Sequence, residues 1–132
     1  MSAPRVLIVD DNAMNVTVAQ VVLSADGFDI ESAADADEAV HKIDLFRPDL
    51  ILMDIQLPGV DGLELTRRLK AEPSTRQIVI VAFTAFAMQG DEEKIRAAGC
   101  NGYISKPIDV NSFAAQVRSL LPAPASGLAD IG

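Results

Sequence analysis

Three uninterrupted apolar runs, Val6-Leu7-Ile8-Val9, Leu50-Ile51-Leu52-Met53 and Ile78-Val79-Ile80-Val81-Ala82-Phe83, alternate with longer amphipathic stretches, and this alternation restricts the fold more than any other feature of the chain. Each run has the length of a strand, and the first and third are rich in β-branched residues, which suit a pleated surface. A strand that is apolar at every position must be covered on both faces, as in a parallel sheet. Phe28-Asp29-Ile30-Glu31 alternates instead, which predicts an edge strand; Tyr103-Ile104 predicts a short strand at the other edge.

Helical patterns fall between these runs. Met14, Val18, Val21, Val22 and Ala25 follow the spacing of one helix face, and Gly27 is placed to end that helix. Asp35 and Glu38 have the spacing of a capping box at the start of a helix running to Phe46. Asp61 and Glu64 repeat the arrangement ahead of Leu65 and Leu69, with Pro73 beyond the end. Residues 91–98 predict a helix closed by Gly99, and Asp109 is placed to cap a last helix with Val110, Phe113, Val117 and Leu120 on one side. Five βα units in series imply a doubly wound α/β fold: a five-stranded parallel sheet with helices on both faces, joined by right-handed crossovers. The expected domain is 1–121, with 122–132, rich in Pro, Ala, Ser and Gly, as a flexible tail or the start of a linker.

Composition removes several classes of function. The chain has 132 residues, the size of one compact domain, and 49% of them are apolar. A net charge of −8 argues against nucleic acid and against an anionic membrane surface, both of which select basic proteins. Cys100 is the one cysteine, so no disulfide can close within the chain; a small buried thiol is expected there. The N-terminus does not read as a signal peptide and the apolar runs are too short to cross a bilayer, so a cytoplasmic protein is expected.

Ligands of open α/β sheets bind beyond the carboxyl ends of the strands. The first run is followed by Asp10, Asp11 and Asn12, the second by Asp54, the third by Thr84 and Ala85, and the last strand by Ser105, Lys106 and Pro107. Three carboxylates, a hydroxyl and an amine would then share one small volume. Two like charges ~4 Å apart repel by about 4 kcal/mol at an effective dielectric near 20, so the acids need cations. Lys106 supplies one; a hard divalent ion held by oxygens would supply the rest, and Mg²⁺ suits such a site. Zn²⁺ does not, because no Cys or His accompanies the acids. A carboxylate can act as a nucleophile toward phosphorus, and phosphoryl transfer needs positive charge around the moving oxygens. Mg²⁺ and Lys106 would provide that charge, Thr84 a hydroxyl donor, and the small Ala85 the space. Taken singly, these residues are unremarkable: Asp10 and Asp11 as turn acids, Lys106 as a surface lysine, Thr84 as a strand end.

Together, Val9-Asp10-Asp11-Asn12, the stretch from Leu52 through Asp54, Gln56 and Pro58 to Gly62, Thr84-Ala85, and Tyr103-Ile104-Ser105-Lys106-Pro107 resemble the motifs of response-regulator receiver domains, over residues 5–121. The segments around Asp54 and from Phe83 to Glu92 are similar to those of single-domain cell-division regulators in that family, and also to receivers fused to hybrid histidine kinases. The resemblance implies a flavodoxin-like strand order of 2-1-3-4-5. It implies that Asp54 accepts a phosphoryl group from a histidine kinase or histidine phosphotransferase. Asp11, Asp54 and the backbone carbonyl of Gln56 would ligate Mg²⁺, and Asp10 would hold a metal-bound water. Lys106 would pair with the phosphate, across a cis bond to Pro107. Thr84 would move toward the phosphate, Tyr103 would turn inward behind it, and the surface of the fourth helix, fifth strand and fifth helix would change its partner preference. Such a chain is not an enzyme beyond its own phosphorylation and dephosphorylation.

Other readings compete. An aspartyl-nucleophile phosphatase of the haloacid-dehalogenase type wants a second acid two residues after the nucleophile, where this chain has Gln56. A flavin binder of similar fold would need a phosphate-cradling loop where Asp10-Asp11-Asn12 stands. A receiver that had lost its chemistry would not be expected to keep the acids and Lys106. His41 reads as a solvated helix residue, and Phe86 and Met88 as a partner surface near the site.

Overall fold

The computed structural model describes residues 3–57, 59, 61–84 and 89–121, with the side chains of 89–91 excepted. Five strands alternate with five helices: β1 (Arg5–Val9), α1 (Ala13–Ala25), β2 (Asp29–Ala33), α2 (Ala36–Phe46), β3 (Leu50–Met53), α3 (Gly62–Ala71), β4 (Val79–Thr84), α4 (Gln89–Ala98), β5 (Gly102–Ser105) and α5 (Phe113–Leu120). The sheet is parallel throughout and ordered β2-β1-β3-β4-β5. Its central strands are the three apolar runs and its edges are the two weaker ones, as the patterns predict.

Alternate side chains of each central strand enter different cores. Leu7, Ile51, Met53, Ile80 and Ala82 pack with Ile43 of α2, Leu65 and Leu69 of α3 and Ile95 of α4. Val6, Ile8, Leu52, Val81 and Phe83 pack on the other face with Ala19 and Leu23 of α1 and Phe113 and Val117 of α5. At about 25 cal/mol per Å² of apolar surface removed from water, these two layers are the main source of stability.

The local signals act as expected at most helix ends. Asn12 caps α1 by accepting from Met14 N and Asn15 N, and Gly27 follows its end at φ +89°. Asp35 accepts from Glu38 N at 2.8 Å, while the Glu38 carboxylate reaches back to Ala34 N at 2.8 Å. Asp61 caps α3 through Leu63 N, but Glu64 turns outward to Arg67 and Arg68 and closes no box.

Two expectations fail. The buried face of α1 is Ala19 and Leu23, flanked by Val16 and Val22, whereas Met14 is 75% and Val21 64% exposed. This helix carries apolar residues on every side, so periodicity alone admits more than one face. The last helix begins at Phe113, not beside Asp109; Asp109 instead closes a preceding turn through Asn111 N, and Val110 is 57% exposed. Residues 122–132, Ala85, Phe86, Met88 and Pro58 lie outside the described residues.

Candidate functional site

The carboxyl ends of β1, β3, β4 and β5 deliver the predicted residues to one rim. Asp10 leaves β1 with its N–H donated to Ala33 O at 3.0 Å, and Asp54 leaves β3 with its N–H donated to Val9 O at 2.9 Å. Both acids are thereby fixed by the sheet rather than by a loop. Asp10 is 2% exposed and Asp54 6%, while Asp11 stands out in solvent. Oxygens of Asp10, Asp11 and Asp54 all lie within 4.8 Å of one another.

Each buried acid uses one oxygen to hold its own loop. Asp10 Oδ1 accepts from Asn12 N at 2.9 Å, and Asp54 Oδ1 accepts from Gln56 N at 2.9 Å. The second oxygens face Lys106, whose ammonium stands 2.9 Å from Asp10 Oδ2 and 3.4 Å from Asp54 Oδ2. Asp10 Oδ2 is fully buried and receives no well-aligned hydrogen bond from any described group; its contact with Lys106 is an ion pair only. Burial pushes the Asp54 carboxyl above its ordinary range, the Gln56 N–H and Lys106 pull it back, and the charge of Asp10 adds to the rise.

Lys106 is aimed by two contacts: its N–H is donated to Thr84 O at 2.9 Å, and its ammonium lies 4.9 Å from the centre of the Phe83 ring. The bond from Lys106 to Pro107 is cis. Thr84 ends β4 and is 1% exposed. Of the residues predicted for the site, Asp10, Asp11, Asp54, Gln56, Thr84 and Lys106 come together; Ala85 falls outside the described residues. Tyr103 stands apart, 38% exposed, with its hydroxyl 3.4 Å from Glu92 Oε2 on α4. Further grooves run between α2 and α3 and beside β5.

Two further residues shape the site, and the sequence patterns did not single them out. A Cβ on Gly62 would run into the backbone oxygen of Asp54, so the start of α3 packs directly against the loop after Asp54. A glycine in the first turn of a helix, where better helix formers are available, is the signal that could have found it. Phe83 supports Lys106 from below; an aromatic ring closing an otherwise aliphatic run was its only mark.

The acids, with one amine between them, form a small anionic hollow that can hold a cation and place one carboxylate oxygen toward an incoming group. A family model described as the response regulator receiver domain matches residues 6–118. The polar-differentiation response regulator DivK of Brucella anthropi is 47% identical over 116 residues, covering 88% of this chain and 94% of that protein. Among solved structures, the receiver domain of a sensor histidine kinase from Pseudomonas aeruginosa, with a magnesium ion coordinated in its active-site cleft, is 35% identical at a TM-score of 0.80, covering 90% of this chain and 98% of that one. The chemotaxis response regulator CheY4 of Vibrio cholerae is 24% identical at a TM-score of 0.85, covering 91% and 100%, and shows a common fold. With the family model matched along most of its length and a relative nearly half identical, the chain belongs to the response regulator receiver domain family.

Proposed function

We propose that the chain is a phospho-acceptor switch of a two-component phosphorelay. Asp54 takes a phosphoryl group from a phosphohistidine of a histidine kinase or histidine phosphotransferase, and the change alters which proteins the chain binds. The observation that carries this reading is the pairing of Asp54 with Asp10 across the single Lys106 ammonium at 3.4 and 2.9 Å. A buried carboxylate held this way keeps one oxygen beside the ammonium in an anionic hollow that draws a further cation, and that positive charge is what a nucleophile toward phosphorus needs.

The donors present fit Mg²⁺. Three carboxylates gather at one place where, among the described residues, only one ammonium pairs with two of them, one buried oxygen of Asp10 has no aligned donor, and every ligating atom is a hard oxygen. Asp11, Asp54 and the Gln56 backbone carbonyl are the donors assigned to it, with Asp10 holding a water. When bound, the ion supplies positive charge for the oxygens of the transferring group. In the transfer, Asp54 forms the new O–P bond as the P–N bond to histidine breaks, and the histidine keeps the electron pair. Lys106 exchanges its contact with Asp54 for one with the phosphoryl oxygens. Thr84 donates its hydroxyl to the same group, and Ala85 leaves room for it.

Output runs through protein contacts on the face of α4, β5 and α5, with Tyr103 turning inward as Thr84 moves. The chain is then a reactant that assists its own modification, not an enzyme with turnover on other substrates. No described helix is long and apolar enough to cross a membrane. A phosphotransfer profile against the histidine kinases of the host tests the proposal. One kinase or phosphotransferase should pass label rapidly to the wild type in Mg²⁺ and none to Asp54→Asn. Label retained by that variant, or no transfer from any donor, would overturn it.

A further inference from the structure

Glu92 of α4 is hydrogen-bonded to Tyr103 of β5. Its carboxylate divides between two partners: Oε2 accepts from the Tyr103 hydroxyl at 3.4 Å, and Oε1 meets Arg96 Nη2 at 3.4 Å. The ring it holds is well placed to matter. Tyr103 pairs in register with Ala82, and Ser105 with Thr84, so Tyr103, Ala82 and Thr84 share one side of the sheet. That side is the one α4 covers, since Ala82 packs in the same core as Ile95 and Ala98. Tyr103 therefore lies diagonally beside Thr84 across a small neighbour, with its far end tied to the helix above.

We propose that Glu92 is a positioning residue that holds the Tyr103 ring at the surface of the unphosphorylated chain and so sets the balance between the two states of the output face. The idea rests on the phospho-acceptor reading. A phosphoryl group on Asp54 draws on Thr84; Tyr103 follows only if its hydroxyl leaves Glu92, and α4 is then released from β5. Arg96 keeps the carboxylate aimed along α4 and is left as its partner once the ring departs. The contact is long and partly exposed, so its contribution is modest and the switch stays reversible.

The chain offers a clean probe, because Tyr103 is its only tyrosine and it has no tryptophan. Tyrosine emission reports this ring alone, and a carboxylate acceptor quenches it. Glu92→Gln should raise the emission of the unphosphorylated protein. It should also speed labelling by acetyl phosphate by about two- to fivefold, the range expected for losing one weak hydrogen bond. Wild-type emission should rise on labelling, and that of the variant should change less. Unchanged emission in Glu92→Gln overturns the proposal whatever the rate. Changed emission with a wild-type rate overturns it too, since the contact would then hold the ring without bearing on the switch. A wild type that takes no label at all would instead sink the phospho-acceptor reading beneath it.

Discussion

Burial raises the Asp54 carboxyl above its ordinary range against the pull of the Gln56 N–H and Lys106, and this has a consequence for stability as well as for chemistry. The folded chain holds the Asp54 proton more tightly than the unfolded chain does. The stability this group contributes is therefore present at low pH and is lost as pH rises through its folded-state value. In Mg²⁺-free buffer at neutral pH, Asp54→Asn should melt several degrees above the wild type, and the gap should close as pH falls below the ordinary carboxylate value of about 4. Thermal melts across that range check the sign; a gap that widened toward acid would contradict it. Gly62 gives the opposite result. Gly62→Ala drives a methyl group into the Asp54 backbone oxygen and should cost about 2 kcal/mol in urea unfolding while slowing phosphorylation. The acids, Thr84 and Lys106 were legible in the sequence because each ends a strand pattern, and strand ends converge. Gly62 and Phe83 were not, because their parts depend on which backbone or side chain lies across from them in space.

Elements were legible where two signals agreed. Asp35 with Glu38 and Gly27 after Ala25 mark helix ends through specific hydrogen bonds, and the structure keeps both. Where one signal stood alone, tertiary packing decided. Helix α1 is apolar nearly all round, and the sheet takes Ala19 and Leu23 rather than the stripe through Met14 and Val21. Leu23→Ala should then cost about 3 kcal/mol in denaturant unfolding, as for a fully buried leucine, whereas Val21→Ser should change stability by about 0.5 kcal/mol or less. Equal costs would mean that α1 presents a different face. The start of α5 was misplaced for a related reason: Asp109 has the capping residue type, but its side chain takes Asn111 N in a turn that leads into the helix, and α5 itself starts at Phe113 after Ser112.

At the scale of the molecule, strand order assembles the candidate site. Placing β1 between β2 and β3 brings Asp10 and Asp54 from adjacent strands side by side, and β4 and β5 then carry Thr84 and Lys106 to the same rim. The two cores lie beneath that rim, and the sheet hydrogen bonds of Asp10 and Asp54 place the acid pair directly above them. The alternation of apolar runs conveyed this plan because covered parallel strands leave so distinct a pattern. Intact-mass spectrometry after incubation with acetyl phosphate, with and without a chelator, tests the account most directly. It predicts that the wild type gains the mass of one phosphoryl group in Mg²⁺, on the peptide containing Asp54, and gains nothing after chelation or in Asp54→Asn. Phosphoryl mass appearing on a different residue, or appearing equally without Mg²⁺, would contradict it.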